Sequence, residues 1–206
     1  MNLKKIFAAA AITAMFVLPL FAHADSVDIT VHEGGHRGYY DDGPDYYNHF
    51  TWGIGVGGAA LGNGFTASNG VTFNPGYGLD GNIGLRADKN LSFLLAVDSY
   101  LFNTNYSNLY NGEINVMPSI RVTADGKDVR PYFIVGAGVN ESINYYQNAF
   151  GTFSSSTTSP VVGGGIGFDF RVSRRLDIYL QGKYEDVLAQ GGSFSYFPIS
   201  AGVQFN

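Results

Sequence analysis

The chain has 206 residues, with 28 glycines, 16 phenylalanines, 14 tyrosines and no cysteine; only 14% of it is charged, for a formal net charge of −5. An ordinary soluble domain is roughly 25% charged and about 7% glycine, so this mixture suits a membrane or a fibre better than a packed water-soluble core. The absence of cysteine excludes disulfides, thiolate metal sites and a cysteine nucleophile; the acidic balance argues against a nucleic-acid partner, and glycine without a three-residue period excludes collagen.

Residues 1–24 open with Lys4 and Lys5, run apolar over 6–22 and close on Ala22-His23-Ala24 before Asp25. That is the layout of a cleaved secretory signal peptide. The apolar run is shorter than the ~20 residues of a spanning helix, and no later stretch is long and apolar enough for one. Any spanning structure is then a closed β-barrel, which satisfies every backbone group without helices.

Residues 25–49 form a polar, Gly- and Tyr-rich segment, expected to be a flexible periplasmic lead-in. His32-Glu33-Gly34-Gly35-His36 matches the H-E-x-x-H expression. The zinc chemistry behind that motif needs a helix that puts both imidazoles on one face, with the glutamate as base. Paired glycines cost about 1 kcal/mol each in a helix, so a zincin site is not expected. Weak metal binding by the tract 32–49, which also holds Asp41, Asp42 and Asp45, is the looser reading.

From residue 50 onward the period is two. Tyr77, Leu79, Ile83, Leu85 and Ala87 share one strand face, against Gly78, Asp80, Asn82, Gly84 and Arg86. Ile114, Val116, Pro118, Ile120 and Val122 oppose Glu113, Asn115, Met117, Ser119 and Arg121; Leu176, Ile178, Leu180 and Tyr184 oppose Asp177, Tyr179, Gln181, Lys183 and Glu185. Weaker strands are expected over 50–60, 91–102, 129–142, 161–172 and 195–205, making eight. Short connections (88–90, 125–128, 173–175) alternate with long polar ones (61–74, 103–110, 143–160, 186–194). Short turns at one end and long loops at the other characterise an outer-membrane up-and-down barrel, and both termini at the short-turn end require an even number of strands. Pro118 sits awkwardly in this scheme, because a barrel has no edge strand.

Periodicity does not say which face looks inward. A soluble lipocalin-type barrel would bury the apolar face. Three features favour the membrane version: the polar faces are too poor in charge for a solvated exterior, the chain ends inside a strand, and aromatics cluster near strand ends. Trp52, Tyr77, Tyr100, Phe102, Tyr110, Phe170, Tyr184 and Phe205 would then form interfacial girdles. The expected fold is an all-β, eight-stranded antiparallel up-and-down transmembrane barrel over 50–206.

The segment Val116-Met117-Pro118-Ser119-Ile120-Arg121, followed by Arg130-Pro131-Tyr132-Phe133-Ile134-Val135-Gly136-Ala137-Gly138, resembles the small OmpA/OmpX-like outer-membrane barrels of Gram-negative bacteria. Trp52-Gly53-Ile54-Gly55-Val56-Gly57-Gly58 and the aromatic C-terminal strand fit the same pattern. The resemblance implies a location in the cell outer membrane among lipid and lipopolysaccharide. It also implies a C-terminal strand, ending at Phe205, that the barrel assembly machinery reads; family members end on that aromatic residue, whereas Asn206 follows here. Barrel hydrolases that the resemblance brings to mind carry a Ser-His pair or an Asp/His site. All four histidines (His23, His32, His36, His49) precede the expected first strand, so no enzyme and no cofactor are expected.

On the inward face the alternation places Asp80, Arg86, Asp98, Glu113, Arg121, Asp169, Arg171, Asp177, Lys183 and Glu185, with Arg130 beside them. They are expected to form a lumen salt-bridge network, since buried charges need partners. Inward glycines leave room that large residues such as Tyr100, Tyr132, Tyr179 and Tyr196 could fill, or that water could occupy. The expected role is therefore structural or surface-interacting, as a monomer using its long extracellular loops on an unknown partner. The alternative is a narrow porin-like channel for small solutes.

Overall fold

Alternating side chains make each strand two-faced, and closing the sheet on itself gives one face a lumen and the other the surroundings. A computed structural model describes residues 49–62, 71–106, 108–148, 151–173, 175–189 and 192–206. They form one closed antiparallel barrel of eight strands in sequence order. These are β1 (His49–Leu61), β2 (Gly76–Arg86), β3 (Leu91–Asn103), β4 (Leu109–Thr123), β5 (Val129–Asn148), β6 (Gly151–Arg171), β7 (Leu176–Val187) and β8 (Phe194–Phe205). Closure is through β1 and β8, with Trp52 opposite Phe205 and Leu61 opposite Tyr196. The proposed leader and the tract 25–48 lie outside the described residues. His49 does not precede the first strand but begins it, exposed.

The apolar face points outward. Val56, Ile166 and Ile199 are 63–65% exposed, and Phe50, Leu85, Phe93, Phe133 and Phe197 stand on the same surface. Inward lie Asp80, Asp98, Glu113, Arg121, Arg130, Asp169, Asp177, Lys183 and Glu185, the amides Asn115, Asn140 and Gln181, and the rings of Tyr100, Tyr132, Tyr179 and Tyr196. A water-soluble barrel would have the opposite arrangement, so the sheet is built to meet lipid. Trp52, Tyr77, Phe170 and Tyr184 are on the outer surface, and Trp52 stacks on Phe205 with ring centroids 4.2 Å apart. Tyr100 and Phe102 correct the girdle reading: they point into the lumen and are 2% and 0% exposed. Neighbouring parity in β3 decides this, because Asp98 shares their face.

The short connections hold at one end. Asp88 Oδ1 accepts from the backbone N–H of Asn90 (2.6 Å) and Leu91 (2.9 Å), the local turn bonding that aspartate favours. Between β6 and β7, Val172 N–H donates to Leu176 O at 3.0 Å.

The opposite end departs from expectation. The stretch 143–160 is not a long loop: β5 and β6 stay paired up to Asn148↔Gly151. Thr, Tyr and Phe suit a pleated strand even in a polar context, and Gly151 adopts φ +143°, a conformation that side-chain-bearing residues rarely take. On one side the ribbon is flanked by β4 as far as Leu109↔Tyr146; on the other, β7 stops at Val187↔Val161. Residues 151–160 therefore run roughly 30 Å of strand past the last β7 pair, at about 3.3 Å per residue.

Two of the four strand prolines are accommodated by small gaps in pairing. β4 pairs with β5 at Val116↔Val139, then again at Ser119↔Gly136; β7 pairs with β8 at Gly182↔Ile199, then again at Glu185↔Tyr196. Pro118 and Pro198 lie in these gaps and cannot donate to the ladder. Each keeps its partner on the other side, Leu95 and Ala59 respectively, and register is unchanged across both gaps.

Candidate functional site

Among the described residues polar chemistry concentrates in the lumen, and the strand period puts it there. Its filling is layered. Nearest the long-loop end, Tyr100, Phe102, Met117, Val161, Val187 and Tyr196 pack as an apolar cluster with Ala59. Tyr196 meets Tyr100 and Phe102 edge-on, with centroids 5.9 and 6.0 Å apart.

Beneath and beside that cluster lies an acidic layer. Lys183 Nζ sits 2.5 Å from Asp98 Oδ2 and 3.0 Å from Glu185 Oε1, all three side chains at most 5% exposed. Asn115 Nδ2 donates to Glu185 Oε2 at 2.6 Å and also to the Tyr196 hydroxyl. Asn140 Nδ2 donates to Asn115 Oδ1 and to Glu113 Oε2, both at 2.8 Å; Ser142 Oγ donates to Glu113 Oε1 at 2.8 Å. Glu113 is thus buried on amide and hydroxyl donors rather than on a cation.

The middle layer is built from tyrosine over glycine. Tyr179 donates to Asp80 Oδ2 at 2.5 Å, Gln181 Nε2 donates to the same oxygen and to Ser200 Oγ at 3.0 Å, and Tyr132 donates to Gln181 Oε1 at 3.1 Å. A Cβ at Gly55 would stand 2.2 Å from the Tyr179 hydroxyl, and one at Gly167 2.4 Å from Tyr132 Cζ. Gly55 and Gly167 are seats on which these rings lie. Large side chains over small ones fill an eight-stranded lumen.

The lowest layer is basic. Arg121 donates to Asp169, with its guanidinium carbon 3.7 Å from the centroid of the Tyr132 ring. Arg130 donates to Asp177 and lies 3.8 Å from Asp169, while Asn206 Nδ2 donates to Asp177 at 2.6 Å. Gln204 Nε2 donates to Thr51 Oγ1 at 2.5 Å and tethers β8 to β1.

Of the sequence-selected set, Asp80, Asp98, Glu113, Arg121, Asp169, Asp177, Lys183 and Glu185 are buried in these contacts. Two differ. Arg86 is buried but makes no ion pair among the described residues; it donates to the carbonyls of Asp88 (3.3 Å) and Lys89 (2.6 Å). Arg171, at the lower end of β6, is only half-buried and outside any ion pair among the described residues. Arg130, sharing the period but less prominent in the sequence, proves central. The amides Asn115, Asn140 and Gln181 link the layers and carry no signal in the sequence beyond their inward parity.

Chemically the lumen holds charges in place. No serine of the barrel can pair with a histidine inside it, since among residues 50–206 there is none. Among the described residues no group of three metal-ligating side chains converges.

No family model matches the chain and no curated protein matches it. Solved structures do. Neisserial surface protein A aligns at 20% identity with a TM-score of 0.53, over 76% of this chain and 95% of that one. Ail, the attachment invasion locus protein of Yersinia pestis, aligns at 14% identity and a TM-score of 0.53, over 77% and 99%. The outer membrane protein OprG from Pseudomonas aeruginosa aligns at 13% identity and 0.50, over 78% and 97%. At these identities the likeness is one of fold: the chain has the fold of the small outer-membrane β-barrels.

Proposed function

We propose that this chain, with the fold of the small outer-membrane barrels as premise, is a non-enzymatic barrel of the cell outer membrane, closed to bulk solutes. It acts as a structural or surface-interaction protein through its long-connection end. The observation that carries the reading is the filled lumen: the tyrosine, amide and ion-pair layers occupy the space a solute path would need. Among the described residues, the feature best placed to meet a partner is the β5–β6 ribbon, with Tyr146 and Phe153 exposed and a run of serine and threonine between Phe153 and Pro160. The leader over 1–24 would carry the chain across the inner membrane, and the strand ending at Phe205 would engage the assembly machinery. The outward apolar belt would sit among lipid and lipopolysaccharide, as a monomer.

Planar-bilayer recording tests the closed lumen. The purified barrel should give no steady conductance steps, whereas Tyr100→Ala combined with Tyr196→Ala, which empties the upper cluster, should introduce them. Steady steps from the unaltered chain would replace the structural reading with the narrow-channel one. A boiled-versus-unboiled gel shift on membrane fractions tests the location: protein found only in the soluble periplasm would end the outer-membrane assignment.

A further inference from the structure

Charge along the lumen is not evenly balanced. Among the described lumen residues, the middle and upper layers set the four carboxylates of Asp80, Asp98, Glu113 and Glu185 against the single ammonium of Lys183, whereas the short-turn end sets Arg86, Arg121, Arg130 and Arg171 against Asp169 and Asp177. Three of those guanidinium groups, Arg86, Arg121 and Arg130, line one cleft together with Ser92, Asp169 and Gln204. Arg86 lies in the field of the like charges of Arg121, Arg130 and Arg171, with Asp177 the opposing one.

The hydrogen-bond inventory of the cleft is also incomplete in one consistent way. The Nε of Arg130, on a side chain only 6% exposed, has no acceptor among the described residues. Asp169 Oδ1 and Gln204 Oε1, on residues each 2% exposed, have no donor among the described residues. A buried donor or acceptor without a partner is costly, so such groups ordinarily mark a place where something else binds. Surplus positive charge and an unused guanidinium N–H call for an oxyanion, which guanidinium groups hold with paired, charge-assisted hydrogen bonds. Two unused acceptors call for a donor on that same ion.

The geometry points to a binding site, in the cleft between Arg86, Arg121 and Arg130, for a small oxyanion that also carries a hydroxyl, of the hydrogenphosphate or phosphate-monoester class. The anion accepts from Arg86 and Arg130, and its hydroxyl donates to Asp169 Oδ1 or Gln204 Oε1. Binding offsets the repulsion among the guanidinium groups, so the ion stabilises the barrel as well as occupying it. The site goes beyond the structural reading and does not depend on it, because a closed barrel and a conducting one would both keep this mouth.

The test uses the full chain folded in octyl glucoside, a detergent without phosphate, titrated with inorganic phosphate by calorimetry. Saturable binding of one ion per chain is expected, with a rise in unfolding temperature that follows phosphate concentration. Arg86→Gln removes the guanidinium that has no carboxylate partner and should weaken binding about tenfold or more. If that variant fails to fold, Ser92→Asp keeps every arginine while setting a carboxylate in the cleft, and should weaken binding at least as much. Sulfate, which carries no proton at neutral pH, should bind more weakly than phosphate. Competition by short-chain phosphatidic acid in mixed micelles would place the phosphate on a lipid headgroup; no competition would leave a soluble ion as the ligand. Absence of saturable heat up to tens of millimolar, or binding unchanged in the folded variants, would overturn the site, and equal affinity for sulfate would overturn the role given to Asp169 and Gln204.

Discussion

Lys183 is the single cation of the acidic layer, and Lys183→Met is the sharpest perturbation of the lumen. Methionine keeps most of the aliphatic stem and its packing, so the change isolates the ammonium. The nitrogen lies 2.5 Å from Asp98 and 3.0 Å from Glu185, whose side chains are 1% and 0% exposed. Removing one member of a buried pair typically costs about 3–5 kcal/mol, because the charge left behind has lost its compensation. Here two carboxylates are stranded, and Asp80 is the cross-strand neighbour of Asp98, so the upper part of that range is expected. That corresponds to roughly a thousandfold change in the folding equilibrium. The triple variant Lys183→Met, Asp98→Asn, Glu185→Gln strands no charge, and a buried ion pair replaced by neutral groups is often nearly neutral in stability. It should therefore recover most of the loss. Equilibrium urea unfolding of the barrel in lipid vesicles measures both, followed by the fluorescence of Trp52, the chain's one tryptophan, which sits on the outer surface at the β1–β8 closure. A loss under about 1 kcal/mol for the single variant, or a triple variant as unstable as the single, would refute the view that Lys183 compensates this layer.

Further outcomes follow from the same geometry. Gly167→Ala forces a Cβ to within 2.4 Å of Tyr132 Cζ and 2.7 Å of the Leu180 carbonyl, and Gly55→Ala to within 2.8 Å of the Ala201 carbonyl, so both should lose about 1–3 kcal/mol in urea unfolding. Gly182→Ala meets nothing within 4 Å and should cost far less; equal losses at all three would contradict the seating of tyrosines on glycines. At the solvent-exposed turns, Lys89 Nζ donates to Asp125 Oδ2 at 3.0 Å and Asn90 Nδ2 to its Oδ1 at 3.2 Å, holding this carboxyl below its usual pKa. A depressed carboxyl contributes its stability above the ordinary carboxylate range and loses it as pH falls through the lowered value. An NMR titration of Asp125 should accordingly show a midpoint under the usual value that rises in Lys89→Ala; an unmoved midpoint would dissolve this pairing.

Much of the barrel is written in the order of residues. Strand side chains alternate strictly, so Leu79 and Leu85 assign Asp80 and Arg86 to the other face without any knowledge of neighbours, and the same holds for Leu180 against Gln181 and Lys183. The rhythm of short and long connections adds the count of eight and its up-and-down order. What period two cannot carry is depth and partnership. It offers Tyr100 both as a girdle aromatic near a strand end and as a lumen ring, and it groups Arg171 with Arg121 although one is half-buried at the strand terminus and the other lies over Tyr132. The registers of β4 and β6 on their shared neighbour β5 decide that Arg121 meets Asp169, and closure of the sheet, which sets β3 across the lumen from β7, decides that Lys183 meets Asp98. It decides equally that 143–160 rises as a paired ribbon. There the backbone groups of one strand are satisfied by the other, and a polar, loop-like composition does not prevent that.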